Sequence, residues 1–354
     1  MGILDRYIGK TIFAATFLSL FVLIGLSCII KFVEQMKGIG VGTYDAWHAA
    51  YFVILKIPVE LSVFFPMAAL IGALIGLGSL AGSSELVVMQ AAGISKLQIA
   101  GAVLKTAIPM VIAVMVLNEF VAPQTDKEAY SMRYLAKKGE EQVSNQYGVW
   151  VKDADSFISI ERMNSDNELF HVQLYFFDKN LKLDHAILAR KAAFKDGNWL
   201  FEDVSQTDFM GDSTEVKKIG NYVWQTKLTP KKLEVILGEP DKMSMRDIYN
   251  YIVYLENNEQ DAKRFWLIFW RKAVLPFTIV VMMLLSVSFI FGGLRTVTMG
   301  TRLIFGIAAG FTFYVSGELF GPFSLVFNLP PILGALLPSL LVLSLAIYLL
   351  RRQS

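Results

Sequence analysis

The sequence has little of several residue types on which common protein chemistry depends. Its 354 residues include one cysteine, Cys28, and three histidines, His48, His171 and His185. A single thiol cannot form a disulfide within the chain, so the fold is expected to stand without one. The histidines are scattered, with no second histidine or cysteine at ligand spacing, and do not indicate a zinc site. We therefore expect no cofactor, no metal and no catalytic centre in this chain.

Charged residues are also scarce, at 18% of the chain, and they are unevenly distributed. Between residues 122 and 264 lie 24 of the 31 acidic and 20 of the 33 basic residues, so this segment carries about −4 and the remainder about +6. The overall charge of +2 is therefore the sum of two different parts of the chain, an apolar part and a water-exposed part. This distribution is typical of a membrane protein with an inserted soluble domain and argues against a nucleic-acid-binding protein.

Long apolar runs occupy the part of the chain that lacks charge. About 20 apolar residues span the hydrocarbon core of a bilayer. Six runs qualify, at residues 11–30, 57–81, 98–121, 273–291, 303–320 and 331–350. Pro66, Pro109 and Pro276 lie within them, which membrane helices tolerate when neighbouring groups satisfy the freed carbonyls. No small-residue cleavage motif closes the first run, so we interpret it as a transmembrane helix and not as a signal peptide.

Between the third and fourth apolar runs, short segments rich in β-branched and aromatic residues predict strands. They cover residues 149–152, 156–162, 170–177, 186–194, 198–204 and 220–227. Ile158 and Ile160 alternate with more polar neighbours, and Asp196-Gly197-Asn198 marks a turn. Strands at this spacing favour a sandwich or jelly roll. From Ser244 to Asn257, apolar residues at three- and four-residue steps predict an amphipathic helix.

The predicted fold class is therefore an α-helical polytopic membrane protein with six transmembrane helices, three plus three, and an inserted all-β domain of jelly-roll type. We divide the chain into four parts. They are transmembrane helices 1–3 at residues 1–121, with a loop at 82–97, a β-domain at 122–243, an amphipathic helical connector at 244–265 and transmembrane helices 4–6 at 266–354.

The distribution of Lys and Arg over short loops and tails predicts the orientation. An even number of spans places both termini on one side, which would hold Arg6, Lys10, Lys96, Arg295, Arg302, Arg351 and Arg352. The opposite short loops hold only Lys31 and Lys37. We therefore expect cytoplasmic termini and a periplasmic β-domain. Four basic residues on the supposed outer side run against this rule: Lys263, Arg264, Arg271 and Lys272.

The loop at residues 82–97 contains the signal of a short apolar helix. Ser83 or Ser84 is a suitable N-cap, and Glu85 suits the first turn. Gly93 is a suitable terminator. With one acidic and few basic residues, the helix suits a groove in a partner protein better than an anionic lipid surface. The candidate contact residues are Ser84, Glu85, Leu86, Val87 and Met89.

Charged residues near membrane depth are costly and are therefore candidates for function. Lys31 and Lys37 follow the first apolar run, and Arg133 follows the third. They are interpreted either as interface anchors or as cations that contact an anionic lipid headgroup. Lys31 is spaced to pair with Glu34, and Lys56 is spaced to pair with Glu60.

Small residues recur four positions apart, a spacing that lets helix backbones approach closely. The pairs are Gly72 and Gly76, Gly78 and Gly82, Gly306 and Gly310, and Gly317 and Gly321. They indicate packing within this chain or an interface with a second membrane subunit. We take Gly306, Gly310 and Glu318 as candidates for a gate or a packing site, with Glu318 a further possible partner for the outer cations.

Several segments, taken in order, resemble one known family. They are Leu4-Asp5-Arg6-Tyr7-Ile8, Phe64-Phe65-Pro66-Met67, Ser84 to Met89, Ser288 to Gly292 with Leu294-Arg295, and Pro330 to Pro338. With the three-plus-domain-plus-three layout, they are similar to the lipopolysaccharide-export permeases of Gram-negative bacteria, the LptF/LptG family, and in particular to its G-type subunit. Gly293 departs from the pattern, where proline is expected.

The resemblance implies the permease subunit of an ABC exporter that extracts lipopolysaccharide from the outer leaflet of the bacterial inner membrane. It implies a sister LptF-like permease, a dimeric cytoplasmic LptB-like ATPase that binds ATP and Mg, and LptC-like and LptA-like periplasmic partners with jelly-roll domains. The loop that carries Glu85 would then be the coupling helix seated in the ATPase. Two alternatives stay open: a permease for another lipid or lipoprotein, and a membrane scaffold with a periplasmic binding domain.

Overall fold

The computed structural model describes residues 2–138, 149–153, 156–164, 168–178, 182–210, 213–226, 228–230, 233, 243–292 and 297–352. The chain divides into two compact units. The first comprises residues 1–34, 53–125 and 263–354, and the second comprises 35–52 and 126–262. Gly293 and Leu294-Arg295, which bear on the resemblance and on the charge count, lie outside the described residues, as do several loops of the predicted β-domain.

The described part of the chain contains the six apolar helices that the sequence predicts. The spans are Ile3–Met36, Ala46–Gly82, Lys96–Lys137, Lys263–Phe291, Gly300–Val326 and Pro331–Arg351. We number the helices α1 (Ile3–Met36), α2 (Ala46–Gly82), α3 (Glu85–Ala91), α4 (Lys96–Val116), α5 (Ala122–Lys138), α6 (Met245–Asn257), α7 (Lys263–Phe291), α8 (Met299–Val326) and α9 (Pro331–Arg351). A π-helical turn at Leu117–Val121 joins α4 to α5. The helices exceed the apolar runs because polar residues continue them past the hydrocarbon core.

The core of the first unit is built by four of its long helices. Aliphatic side chains from α1, α2, α4 and α7 are fully or almost fully buried there, among them Ile8, Ile12, Leu70, Leu74, Leu77, Ile99, Val103, Met282, Met283 and Val287. Because lipid is as apolar as these side chains, close van der Waals packing and small residues hold such helices together. Gly72 shows this directly: a Cβ at this position would overlap the backbone of Thr16 on α1.

The second unit contains one antiparallel sheet of seven strands. They are β1 (Val149–Asp153), β2 (Ser156–Met163), β3 (Glu168–Phe177), β4 (Leu183–Lys195), β5 (Asn198–Met210), β6 (Ser213–Lys218) and β7 (Asn221–Trp224). The strands pair in sequence order from β1 to β6, and β7 pairs with the first half of β5, whose second half pairs with β6. The predicted all-β insertion is confirmed, and β6 is the strand that the prediction lacked.

The alternation predicted for β2 is confirmed, since Ile158 and Ile160 are fully buried whereas Phe157 is exposed. The long β4–β5 pair is closed by a two-residue turn at Asp196 and Gly197, between the paired residues Lys195 and Asn198. Both turn residues have positive φ, 50° and 82°. A type I′ hairpin turn requires this conformation at both positions, which is why the Asp-Gly sequence occurs there.

Two features complete the described core of the second unit. The buried Trp199 of β5 donates its indole N–H to the carbonyl of Leu228 over 2.7 Å. The amphipathic helix α6 begins at the cap residue Ser244, whose hydroxyl accepts from the Asp247 N–H, and it buries the predicted apolar face. On that face, burial raises the pKa of Tyr251 to about 12.

Candidate functional site

The predicted short helix of the 82–97 loop is present as α3, Glu85–Ala91. It ends where the sequence predicted: Gly93 has φ 90°, its N–H donates to the Gln90 carbonyl, and the Ile94 N–H donates to the Met89 carbonyl. These two bonds form a Schellman motif, which satisfies carbonyls at the end of a helix.

Ser84 occupies the predicted N-cap position of α3, but the side chain does not make the expected capping bond. Ser84 has φ 60° and its hydroxyl makes no capping bond, because that bond needs an extended backbone at the cap residue. The Ser83 hydroxyl instead donates to the Glu85 carboxylate over 2.8 Å.

The faces of α3 differ sharply in burial. Leu86 is 4% exposed and packs into the core of the first unit, with Met89 beside it. Val87 and Val88 are 49% and 66% exposed. A helix of seven residues therefore anchors itself through Leu86 and presents two branched apolar side chains outward. This arrangement suits contact with another protein.

The candidate cation Lys31 is held within the chain. Its ammonium lies 2.8 Å from the Glu60 carboxylate of α2, and the Ser27 hydroxyl donates to the same carboxylate over 2.6 Å. Lys31 therefore pairs with Glu60 and not, as its spacing suggested, with Glu34. The half-buried Cys28 lies next to this cluster, in the same turn of α1.

The candidate cations Lys37 and Arg133 belong to the second unit, whereas Lys31 belongs to the first. Lys37 is exposed. The Arg133 guanidinium lies 4.9 Å from the ring centre of Phe52 and 4.8 Å from that of Tyr130, which are cation–π distances. Within the described residues no carboxylate is within ion-pair distance of Arg133, so stacking on rings is what orients this cation.

The candidate packing residues Gly306 and Gly310 lie on the face of α8 that approaches α2. A Cβ at Gly306 would lie 2.7 Å from Leu74, and one at Gly310 would lie 2.7 Å from Met67. The sequence left open whether these glycines serve packing within the chain or an interface with a second subunit. Both Gly306 and Gly310 pack within this chain. Glu318 lies 3.6 Å from the Arg271 guanidinium of α7, so its partner is not one of the candidate headgroup cations.

Comparison with known proteins decides the family. Residues 6–352 match the family model described as lipopolysaccharide export system permease LptF/LptG. The chain belongs to the LptF/LptG family. It is 45% identical to the lipopolysaccharide export system permease protein LptG of Escherichia coli K12 over 360 residues, which cover 100% of this chain and 99% of that protein. It is also 45% identical to the LptG protein of Haemophilus influenzae, over 99% of this chain and 98% of that protein.

This LptF/LptG-family chain has a buried arginine that the sequence analysis had assigned to a loop. Arg302 lies in the first turn of α8, is 6% exposed, and donates to the carbonyl of Gly78 on α2 over 2.8 Å. Gly78 is in the last turn and a half of α2, four residues before its end at Gly82. The start of α8 is therefore hydrogen-bonded to the C-terminal part of α2, which leads into α3. A single arginine at the start of an apolar run does not indicate in the sequence which backbone carbonyl it will contact.

The start of α4 is a second feature that the sequence analysis missed. Ser95 and Gln98 form a capping box: the Ser95 hydroxyl accepts from the Gln98 N–H, and the Gln98 amide oxygen accepts from the Ser95 N–H. The signal was available, because serine followed three residues later by glutamine before an apolar run is the pattern of such a box. It fixes the exit from α3 as a rigid turn.

The described residues contain no group of three or more His, Cys, Asp or Glu side chains placed to hold a metal ion. What the first unit brings together instead is a short outward-facing helix, the end of α2 that precedes it, and the start of α8, which bonds to α2 through Arg302.

Proposed function

We propose that this chain is the permease subunit of a lipopolysaccharide exporter in the bacterial inner membrane. The observation that carries the proposal is the family match over residues 6–352, together with full-length relatives that are named lipopolysaccharide export permeases. Six apolar helices and an inserted sheet domain suit a protein that takes an acyl-chain lipid from a bilayer. The chain itself is then not an enzyme, and separate ATPase subunits bind ATP and Mg and supply the energy.

In this proposal both termini are cytoplasmic and the sheet domain is periplasmic. The excess of Lys and Arg on the side of the termini supports the orientation. The contacts of two residues that run against the rule support it further. Lys263 bonds the Asn328 side chain over 2.9 Å, and Arg271 bonds the Gly317 carbonyl over 2.7 Å. Since these cations tie α7 to α8 and to the residues that follow it, their presence on the outer side has a structural reason.

The contact with the ATPase is assigned to α3. Val87 and Val88 face outward, Leu86 anchors the helix, and Glu85 connects it to Ser83. ATP-driven closure of a dimeric LptB-like ATPase would push on this helix. The push would reach α2 through the turn at Ser84, and α8 through the Arg302 contact with Gly78.

A sister LptF-like permease is the proposed neighbour in the membrane. Only 28% of the apolar window of α1 and 11% of that of α8 are buried by this chain, which leaves broad apolar faces for a second subunit. LptC-like and LptA-like proteins with jelly-roll domains are the proposed periplasmic partners, since β1 and β6 each pair with one strand among the described residues and so have an outer side to which a partner strand could add.

The proposed path takes lipopolysaccharide laterally from the outer leaflet and upward to the sheet domain. Each buried CH₂ group contributes about 0.8 kcal/mol, so lifting a lipid with many acyl chains costs tens of kcal/mol unless another apolar cavity receives them. The anionic headgroup would be attracted by Lys31, Lys37 and Arg133. Because Glu60 neutralises Lys31, most of this attraction falls to Lys37 and Arg133.

The test of the coupling assignment is Glu85→Ala in the reconstituted complex with its ATPase. Removing the carboxylate breaks the hydrogen bond that the Ser83 hydroxyl donates to Glu85 at the start of α3. We expect ATP hydrolysis coupled to lipid release to fall about tenfold, which corresponds to roughly 1.4 kcal/mol. Gel filtration of the complex reports assembly in parallel.

The matched control is Glu202→Ala, which removes an exposed carboxylate from β5 in the second unit. It should leave assembly and coupled hydrolysis unchanged. If Glu85→Ala behaves like Glu202→Ala in both measurements, α3 is not the element through which the ATPase acts.

A further inference from the structure

Of the six described spans, α8 is the one that the rest of the chain buries least. Its apolar window is 11% buried, against 67% for α2 and 56% for α7. Large apolar side chains along its length are exposed, including Ile304, Phe305, Phe311, Tyr314, Leu319 and Phe323. Apolar packing against this chain covers only part of α8, so polar contacts add to what positions it.

One such contact fixes the C-terminal half of α8. Arg271 of α7 donates through Nη2 to the carbonyl of Gly317 over 2.7 Å, and its Nη1 lies 3.6 Å from the Glu318 carboxylate. A guanidinium is always charged and has five N–H donors, so at membrane depth it requires acceptors. Arg271 finds two of them on consecutive residues of α8.

Gly321 makes this contact sterically possible. A Cβ at position 321 would overlap Nη2 of Arg271 and would lie 2.9 Å from its Cζ. One turn earlier on the same helix, a Cβ at Gly317 would meet nothing within 4 Å. Of the two glycines in this pair, only Gly321 opens the space that the guanidinium occupies.

The ion pair is only partly enclosed by this chain, since the Arg271 and Glu318 side chains are 32% and 58% exposed. The direction of the guanidinium, in contrast, is set closely, by a helix carbonyl on one side and a missing side chain on the other.

We propose that Arg271 is a positioning residue that latches the C-terminal half of α8 to α7, and that this latch sets the spacing of the two helices during lipid passage. The inference rests on the proposed permease function. It assigns Gly321 as the partner position without which the latch cannot close.

The test compares Gly321→Ala with Gly317→Ala in the complete transporter, reconstituted in proteoliposomes that contain lipopolysaccharide. Both variants add one methyl group to α8, but only Gly321→Ala displaces Arg271. We expect Gly321→Ala to lower the rate of lipopolysaccharide release by about fivefold, the lower range of typical coupling effects, and Gly317→Ala to release at the wild-type rate. Thermal unfolding of the two variants should be alike.

A double-mutant cycle with Arg271→Met separates the latch from a general packing effect. If the methyl group acts by displacing the guanidinium, Gly321→Ala adds no further loss in the Arg271→Met background. Arg271→Lys should restore part of the activity that Arg271→Met loses, because an ammonium still reaches the carbonyl. Equal release by the two alanine variants, or additive losses in the cycle, overturns the latch. If the wild-type complex releases no lipopolysaccharide, it is the permease function that fails.

Discussion

At the scale of single residues, the contact between Gly72 and Thr16 shows how closely α1 and α2 approach. No side chain at position 72 fits without moving the backbone of α1. At the neighbouring crossing, a Cβ on Gly76 would lie 3.0 Å from the Cα of Ile12. The Thr16 hydroxyl oxygen is buried and makes no hydrogen bond in the described structure. Close van der Waals packing, and not a hydrogen bond from Thr16, therefore stabilises the contact between α1 and α2 at this position.

We predict that Gly72→Ala lowers the stability of the first unit. Overpacking a close contact typically costs about 1–3 kcal/mol, and here the atoms in the way are backbone, which cannot swing aside. Thermal unfolding in detergent, followed by intrinsic fluorescence, measures the change. Gly25→Ala on α1 is the control, because its Cβ would meet nothing within 4 Å. Equal melting temperatures for the two variants would contradict the proposed close contact.

The sequence predicted which residues permit a close approach but not which partners they meet. Glycines four apart identified Gly72 and Gly76, since small size is a property of the residue itself. The partner of Lys31 was missed, because Glu34 is near in sequence whereas Glu60 is near only once α1 and α2 have packed. The contact of Arg302 could not be predicted for the same reason, because its acceptor is a backbone carbonyl on another helix.

At the scale of elements, α3 is defined more by how it ends than by how it begins. Its start lacks a side-chain cap, whereas its end has two backbone bonds around Gly93. Residue 93 must adopt φ near 90°, a conformation that costs residues with a Cβ roughly 1–2 kcal/mol. The turn into α4 is then closed by the Ser95 and Gln98 box.

We predict that Gly93→Ala loosens the end of α3 by strain alone, since a Cβ there would meet nothing within 4 Å. Hydrogen exchange of the amides at Gly93 and Ile94, which bond to the Gln90 and Met89 carbonyls, should become about fivefold faster for a cost of roughly 1 kcal/mol. Gly82→Ala is the matched control, since position 82 is equally open but helical. Unchanged exchange in Gly93→Ala would show that the helix end does not depend on the glycine.

Prediction of elements succeeded where the signal is long or periodic. The six spans, β2, the Asp196-Gly197 turn and α6 all follow from length, alternation or turn chemistry. Strand β6 was missed because Ser213–Lys218 is exposed along its whole length and carries one apolar residue, so no alternation marks it. It is a strand because the second half of β5 offers it a free edge.

At the scale of the whole molecule, the division of charge between the two units bears on how an anionic lipid would be attracted. The second unit, although acidic, holds the exposed Lys37 and the ring-stacked Arg133. In the proposed function, a mildly acidic domain that shields acyl chains has no need to bind phosphate over its whole surface. Lys37 and Arg133 would then be enough to attract an anionic headgroup.

We predict that Arg133→Ala reduces the lipopolysaccharide that copurifies with the complex by about fivefold, since one cation near an anionic lipid contributes about 1 kcal/mol. The difference should shrink as salt is raised, because screening weakens the attraction of exposed charges. Arg190→Ala, which removes an exposed arginine from β4, is the control. Equal lipid retention by the two variants at low salt would exclude Arg133 from the headgroup contact.

The order of strands in the sheet also bears on how the chain is made. From β1 to β6 each strand pairs with the one that precedes it, and β7 returns only to β5. Such local pairing lowers the loop-closure entropy that must be overcome, which favours rapid folding. A nascent chain can therefore add each strand to the growing edge as it emerges, without waiting for distant segments. Every strand of the described sheet precedes the last three helices in the chain, so their pairing does not require those helices.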